Sequence, residues 1–412
     1  MDFFSKIFRG DKTIWCIFIA LCVISLLEVF SATSTIVYRQ QNHWGPILRH
    51  AAFLLVGFGG VMFLQRLPTR FFSFFVLLLP VSCVLLVMTM FMGEDVNGAQ
   101  RWLGVGAFTI QPSEIAKLSA VGFIAFFLSK TNSENETSMF KIMIISIGVT
   151  CGLILFENLS TAILLFMVCY LMMFIGQISW KKLGMIAAIG CCVILLFFGT
   201  LKLIPEDVAN NHLPDRFATW KSRVDKHSGE SGYSKDMNPA DYEITKHNYQ
   251  TTHSKIAIAN GGIIGLPGSG KERDFLPQAY SDFIYAIIVE EMGLIGGIIV
   301  LLLYFALIIR VGMLARKCDK LFPKFLLLGS SLMLGVQALI NMAVAVNLMP
   351  VTGQPLPLVS RGGTSTIITC VYFGIILACS NIKKEEEEEE LEELNTNTIL
   401  SDKELNELEV YE

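Results

Sequence analysis

The stretch 276–310, which reads LPQAYSDFIYAIIVEEMGLIGGIIVLLLYFALIIR, decides what kind of protein this is. Its second half, residues 292–309, carries no charge, and about 20 such residues are enough for a helix to cross a membrane. Asp282 stands near the start of this apolar run. A carboxylate next to hydrocarbon is costly and usually faces a cavity or a partner, so the stretch predicts a membrane helix with a polar site at its beginning.

The composition agrees with a membrane protein. Of the 412 residues, 53% are hydrophobic and 17% are charged, and the mean hydropathy is +0.56. A soluble chain of this length would need more polar surface, so the composition indicates a polytopic membrane protein. The net charge of −4 reflects the Glu-rich tail 382–412, which we expect to be disordered. The ten cysteines lie in apolar runs without the spacing of metal ligands or disulfides, and we interpret them as small hydrophobic residues.

Apolar segments of spanning length predict an all-α protein with about ten transmembrane helices. The first follows a short basic N-terminus, 1–13, and no small-residue cleavage site follows it, so we expect a retained anchor. The membrane domain then covers 14–381. The predicted spans are 14–37, 50–66, 71–92, 112–129, 139–157, 159–176, 183–203, 281–310, 324–347 and 362–380.

The distribution of Lys and Arg predicts the orientation. Most of these residues fall in alternate connections, which the positive-inside rule assigns to the cytoplasm. Both termini are then cytoplasmic, and the long polar segment 204–278 forms one large extracytoplasmic loop.

Residues 97–127, NGAQRWLGVGAFTIQPSEIAKLSAVGFIAFF, form the first polar motif. Pro112 is suited to open a helix, which places Glu114 in its first turn and Lys117 on the same face three residues later. This pair is either a structural ion pair or, together with Arg101, part of a site for an anion such as phosphate. The spacing leaves both interpretations open.

Residues 249–293 form the second motif. Its GLPGSGK segment has the spacing of a nucleotide-binding loop, but Glu272 stands where that loop needs Ser or Thr, and no strand precedes it. Asp282 either stabilises the first turn of a helix or serves as a carboxylate that binds a divalent cation or accepts a proton from a sugar hydroxyl. Of Glu290 and Glu291, we expect one to face the bundle interior.

Residues 347–377, NLMPVTGQPLPLVSRGGTSTIITCVYFGIIL, form the third motif. Its three prolines exclude a regular helix before Gly362 and Gly363, which open the last span. Backbone N–H groups at such an end, next to Arg361, form either an anion site or a simple helix cap.

Together the three motifs resemble the SEDS family, named for shape, elongation, division and sporulation. NGAQRWLGVG…IQPSEIAKL resembles the family block NGAxRWI…QPxExxKL, LPQAYSDFIYAIIVEEMG resembles LPEAHTDFIFAIIGEELG, and PLPLVSRGGTS resembles LPxxSYGGSS. The resemblance runs from about Asp11 to Asn381. It is closer to the family's division members than to its elongation members.

The resemblance implies a peptidoglycan glycosyltransferase of the bacterial cytoplasmic membrane, at the division septum. Such an enzyme polymerises lipid II together with a class B penicillin-binding protein and other division proteins. It implies that Asp282 is the catalytic carboxylate, with Mg²⁺ or Mn²⁺ as a candidate cofactor. We expect no nucleotide and no nucleic acid, because the lipid-linked substrate carries its own leaving group. It implies that Arg101, Gln111, Glu114 and Lys117, which fall on the first family block, line the same cavity. Our further candidate substrate-binding residues are Ser281, Arg361, Gly362 and Gly363.

Four residues stand out as departures from the family pattern. Glu157-Asn158 replaces Pro-Asp, Arg361 replaces Tyr, and His253 replaces Gln. Two other functions stay open on sequence alone. A lipid II flippase would use the same basic cavity without chemistry, and a division scaffold would act through the tail and the loop 204–278.

Overall fold

A computed structural model describes residues 7–32, 45–95, 100–105, 108–203, 244, 248–266, 268, 270–276 and 279–381. Within these ranges the chain forms eleven α-helices, and ten of them match the predicted spans in order. The exception is α8, a short helix inside the segment expected as a loop. The helices are α1 Lys12–Ala32, α2 Gly45–Leu64, α3 Phe75–Met92, α4 Pro112–Ser129, α5 Glu136–Glu157, α6 Leu159–Ile175, α7 Trp180–Leu203, α8 Tyr249–Gly261, α9 Ile284–Arg316, α10 Leu321–Ala345 and α11 Thr364–Ser380.

The helices confirm the prediction of a multi-pass membrane protein. In the described part of the chain, seven are long and apolar enough to cross a bilayer, and α6 and α11 are apolar but shorter. The spans differ in burial: α4 and α10 are 78% and 72% buried, whereas the other five are 22–44% buried. Helices α4 and α10 therefore form the centre of the bundle, and the others present apolar side chains outward, as lipid requires.

A small antiparallel sheet departs from the all-helical prediction. Its strands are β1 Glu94–Asp95, β2 Gln100–Val105 and β3 Phe108–Ile110, in the order β1-β2-β3. Strands β2 and β3 pair Leu103 with Ile110 and Val105 with Phe108. These residues immediately precede α4, so the hairpin pairs backbone groups where the chain enters the bundle.

Helix α9 is not a straight span. Its 33 residues would extend about 50 Å, more than the roughly 30 Å of a bilayer core. It breaks at Gly293, where φ is 73° and ψ is −178°. The Tyr285 hydroxyl donates to the Gly297 carbonyl at 3.2 Å, although residues 12 apart on a straight helix are about 18 Å apart along its axis. The half-helix 284–292 therefore folds back along the beginning of the second half, 294–316.

The chain that follows α8 satisfies the backbone at this break. The amides of Leu294 and Ile295 donate to the carbonyls of Gly262 and Ile263 at 3.0 and 3.3 Å. Unpaired amides would be costly within a membrane, where water is scarce. The predicted span 281–310 is therefore corrected to two half-helices joined to a neighbouring segment.

Several predicted regions lie outside the described residues. These are most of the loop 204–278, the first six residues and the tail 382–412. The described parts of 204–278 include α8 and the 3₁₀ turn Glu272–Asp274, so this region is not a plain loop.

We expect Gly261→Ala to destabilise the protein, because a Cβ at this position would lie 1.9 Å from the Val289 carbonyl oxygen. Overpacking of this kind costs about 1–3 kcal/mol or more. Gly312→Ala, in α9, is the control, because a Cβ there would meet no neighbouring atom within 4 Å. The measurement is the melting temperature of each purified variant in detergent. Equal melting temperatures for the two variants would contradict the close packing.

Candidate active site

Asp282 lies in the turn that leads into the folded-back half of α9. Its side chain is half-buried, and its Oδ1 accepts a hydrogen bond from the Ser281 hydroxyl at 2.9 Å. A Cβ at Gly353 would lie 3.6 Å from Oδ2, and Gly353 has a φ of 69°. One oxygen of the carboxylate is thus oriented by Ser281, while the other faces a residue that has no side chain.

Three consecutive backbone carbonyls hold this turn in place. The Tyr280 carbonyl accepts a hydrogen bond from the amide of Arg361 at 2.9 Å. The Ser281 carbonyl accepts from the Ser360 hydroxyl at 2.6 Å. The Asp282 carbonyl accepts from Asn341 Nδ2 at 2.9 Å. The position of the carboxylate is therefore fixed by the third sequence motif and by α10.

Two amide side chains of α10 hold the proline-rich segment beside Asp282. Asn341 Nδ2 also donates to the Gln354 carbonyl at 2.8 Å, and Gln337 Nε2 donates to the Pro355 carbonyl at 3.0 Å. Asn341 and Gln337 are 1% and 4% exposed. Sequence reasoning missed both residues, because single amides on an apolar helix give no motif. Their helical spacing of four residues, on one face, was the available signal.

The predicted pair of Glu114 and Lys117 forms and is buried. Lys117 Nζ lies 2.8 Å from Glu114 Oε1 and donates to Gln337 Oε1 at 2.9 Å. Lys117 is fully buried and Glu114 is 5% exposed. The ammonium group thus supports Gln337, which in turn holds the segment beside Asp282. The structural interpretation of this pair is supported, and its contact with substrate stays a prediction.

The departure at Asn158 has a local explanation. Its side-chain oxygen accepts from the amides of Ser160 and Thr161 at 3.0 and 3.4 Å, which caps α6. A neutral amide does this as well as a carboxylate. Gln354 Nε2 then donates to the Thr161 hydroxyl at 2.8 Å, so this helix end also supports the proline-rich segment.

The structure describes the remaining predicted site residues only in part. The backbone of Arg101 belongs to β2, and its side chain lies outside what the structure describes. Gln111 precedes α4, and its Nε2 donates to the Ser113 hydroxyl at 3.1 Å. Arg361 packs over the ring of Tyr280, just before Gly362 and Gly363 lead into α11. The structure thus brings Ser281 and Arg361 to the Asp282 turn.

Both Glu290 and Glu291 are buried, whereas we expected only one to face the interior. Glu290 Oε1 accepts from the amides of Lys271 and Glu272 at 2.8 and 3.0 Å. Glu291 Oε2 accepts from the Gly268 amide at 3.1 Å. The segment that resembled a nucleotide-binding loop therefore directs these amides at carboxylates of its own chain.

Comparison with known proteins identifies the family. The family model for FtsW, RodA and SpoVE, described as cell cycle protein, matches residues 11–385. This chain belongs to the FtsW/RodA/SpoVE family. The resemblance seen in the three sequence motifs is thereby confirmed.

Individual relatives cover almost the whole chain. A probable peptidoglycan glycosyltransferase FtsW of Aliivibrio salmonicida is 30% identical and covers 90% of this chain and 89% of its own. That of Coxiella burnetii is 28% identical, covering 87% and 93%. Peptidoglycan glycosyltransferase MrdB of Escherichia coli K12 is also 28% identical, covering 91% and 94%.

Solved structures share the fold. One of them is a chain of a peptidoglycan synthase complex, described as coordinating polymerization and crosslinking. Its TM-score to this chain is 0.67 at 25% identity. It covers 90% of this chain and 97% of its own. The rod shape determining protein RodA of Thermus thermophilus has a TM-score of 0.61 at 22% identity, covering 90% and 96%.

The family site offers few protein ligands for a metal ion. Within the described ranges, no group of three or more His, Cys, Asp or Glu residues is arranged to hold one. Mg²⁺ commonly binds through one or two carboxylates together with substrate phosphates. Asp282 therefore fits a cation only if the remaining ligands come from substrate and water.

We expect Lys117→Met to destabilise the protein, because it leaves the Glu114 carboxylate buried without its cation. Removing one partner of a buried pair costs about 3–5 kcal/mol. The double variant Glu114→Gln/Lys117→Met should recover most of that loss, which melting temperatures will measure. A single variant as stable as the wild type would contradict the supporting role of Lys117.

We expect Asn341→Ala to loosen the Asp282 turn without unfolding α10, because it removes the donor shared by two carbonyls. Hydrogen–deuterium exchange should become faster at the amides of residues 280–283, Gln354 and Leu356. Ser330→Ala is the control on the same helix, because the buried Ser330 hydroxyl has no hydrogen-bond partner in the described structure. Unchanged exchange in Asn341→Ala would show that the turn is held by other contacts.

Proposed function

We propose that this chain is a peptidoglycan glycosyltransferase that polymerises lipid II at the outer face of the bacterial cytoplasmic membrane during cell division. The observation that carries the proposal is the carboxylate of Asp282, oriented by Ser281 on a turn held at three successive carbonyls. Rigid placement of a base is what general-base catalysis needs. The relatives named as peptidoglycan glycosyltransferases, matched over about nine tenths of the chain, support it.

The reaction transfers a growing glycan from its lipid pyrophosphate to the next substrate. The 4-hydroxyl of the acceptor sugar attacks the anomeric carbon of the donor, with inversion. A carbon–oxygen bond forms to the acceptor, and the bond to the pyrophosphate oxygen breaks. Asp282 takes the proton of the attacking hydroxyl.

The charge that develops on the leaving pyrophosphate needs cations nearby. We propose Arg101, Lys117 and Arg361 for this role, with Gln111 and Glu114 lining the same cavity. The backbone N–H groups at Gly362 and Gly363 add to it at the beginning of α11. A divalent cation, Mg²⁺ or Mn²⁺, would neutralise pyrophosphate charge between Asp282 and the substrate.

The same proposal includes partners and location. A class B penicillin-binding protein would crosslink the strands, within a larger assembly of division proteins at the septum. The structural relative from a peptidoglycan synthase complex supports such a partner. The Lys and Arg asymmetry supports cytoplasmic termini. We expect no requirement for ATP, because the lipid-linked substrate carries its own leaving group.

We expect Asp282→Asn to abolish strand synthesis while it preserves folding. The protein, purified with a penicillin-binding partner that lacks its own glycosyltransferase domain, receives labelled lipid II with Mg²⁺ or Mn²⁺. Loss of a general base lowers the rate by about 10²–10⁴-fold. Asp319→Asn is the control, because Asp319 is an exposed carboxylate in the turn between α9 and α10.

Other results would favour the rival functions. Strands from Asp282→Asn at the wild-type rate would refute the catalytic role. No strands from the wild type, with lipid II moved between leaflets, would favour a flippase. Normal growth of cells that carry only Asp282→Asn, with growth lost on deletion of the tail, would favour a scaffold.

A further inference from the structure

Helices α2 and α11 are parallel neighbours, and their register places Arg49 at the level of the residues that open α11. Gly57 of α2 packs against Cys370, and Gly374 of α11 packs against Val61. The difference in residue number between the two partners is the same in both contacts, as expected for two helices that run in parallel. The same register, carried back two helical turns towards the N-termini, brings Arg49 level with the residues that open α11.

A hydrogen-bond chain ties the same ends together. His50 Nε2 lies 2.8 Å from the Ser25 hydroxyl, which donates to the Val359 carbonyl at 3.0 Å. Arg49 is the neighbour of His50, and Val359 lies two residues before Arg361. This second, independent contact therefore brings the beginning of α2, which carries the exposed Arg49, close to the segment that carries Arg361.

Arg361 is held in position by Tyr280. Its amide donates to the Tyr280 carbonyl at 2.9 Å, and its guanidinium lies 5.3 Å from the centre of the Tyr280 ring. A cation over an aromatic face is favourable and keeps its hydrogen-bond donors available. Burial lowers the pKa of Arg361, Tyr280 raises it, and the charge of Arg49 lowers it, so the two cations sense each other.

No carboxylate neutralises these two cations within the described residues. Ion pairs there involve Lys117, Lys182, His253, Arg273 and Arg310, but neither Arg49 nor Arg361. Two guanidinium groups that sense each other without a carboxylate repel, and an anion bound between them would relieve this repulsion. The lysine of the same cavity differs, because Glu114 already pairs with it.

Residues 280 and 361 touch each other, and both differ from the family blocks quoted above. The family block LPEAHTDFI has His where this chain has Tyr280, and SYGG has Tyr where this chain has Arg361. The two positions touch each other in the structure. A new cation at position 361 thus comes with an aromatic ring at position 280 that supports it.

We propose that Arg49 and Arg361 form an anion subsite that binds phosphate or pyrophosphate beside the Asp282 turn, with Tyr280 as the positioning residue for Arg361. Two guanidinium forks match the paired oxygens of a pyrophosphate. The subsite is separate from the buried Lys117 and is particular to this chain's residues at 280 and 361. Its physiological ligand, a lipid-linked pyrophosphate, rests on the proposed function.

The test measures inorganic pyrophosphate binding by isothermal titration calorimetry to the full chain in nanodiscs of phosphatidylcholine. We expect Arg361→Tyr and Arg49→Gln each to weaken binding about tenfold, which corresponds to one charge-assisted hydrogen bond of about 1.4 kcal/mol. Arg70→Tyr is the matched control, because Arg70 also lies over an aromatic ring, that of Phe71, far along the chain from the site. Binding that is unchanged in Arg361→Tyr, or equally weakened in Arg70→Tyr, would overturn the subsite.

The double variant Tyr280→His/Arg361→Tyr separates ligand binding from folding, because it restores the pair of the family blocks. We expect it to melt at the wild-type temperature and to bind pyrophosphate as weakly as Arg361→Tyr. A double variant with wild-type affinity would refute the subsite. Tyr280→His alone should weaken binding less than Arg361→Tyr, because the cation remains.

Two further arms identify the source of the phosphate and separate this inference from the enzymatic one. In nanodiscs containing phosphatidylglycerol, unchanged pyrophosphate affinity supports a lipid-linked pyrophosphate ligand. If phosphatidylglycerol lowers the affinity for pyrophosphate by competing with it, the subsite is assigned to lipid headgroups.

If the wild type makes no glycan strands but binds pyrophosphate through Arg361, the proposed function fails and the subsite stands. If it makes strands but Arg361→Tyr binds pyrophosphate normally, the subsite fails and the function stands.

Discussion

The hydrogen bonds to the carbonyls of Tyr280, Ser281 and Asp282 are the constraint on which the rest of the site depends. A turn just outside a helix normally keeps some freedom, because water satisfies its carbonyls. Here Arg361, Ser360 and Asn341 donate to all three in succession. The carboxylate is therefore attached to a rigid support whose other contacts come from α10 and from the segment before α11.

The break at Gly293 makes this support reachable. A straight α9 would carry Asp282 beyond the end of α10, where no partner from that helix is available. Folding the half-helix 284–292 back brings the turn to the level of Asn341, and the cost is a set of backbone groups unpaired at the break. The segment Gly262–Gly265 pairs them, and it packs closely because Gly265 and Gly293 have no Cβ.

The fold and the site differ in how far the sequence predicts them. The ten helices that match the predicted spans follow from apolar length, and the pair of Glu114 and Lys117 follows from helical spacing, because both depend on neighbours along the chain. The fold-back does not, because Gly293 resembles the nearby Gly296 and Gly297 until residues of α8 are known to lie against it. Asn341 and Gln337 were also missed because their partners are distant in the chain. They donate to backbone carbonyls, which every residue has, so no sequence motif marks these contacts.

The cations near the Asp282 turn differ in whether a carboxylate neutralises them. This difference separates a structural role from a role in binding an anion. Lys117 is enclosed with Glu114, so part of its charge is compensated before an anion arrives. Arg361 has an aromatic ring beside it instead of a carboxylate, which fixes its position without cancelling its charge. A buried ion pair supports the Asp282 turn, whereas the cation on an aromatic ring keeps its charge available to an anion. A carboxylate at position 280 would hold Arg361 more strongly, but it would neutralise that charge.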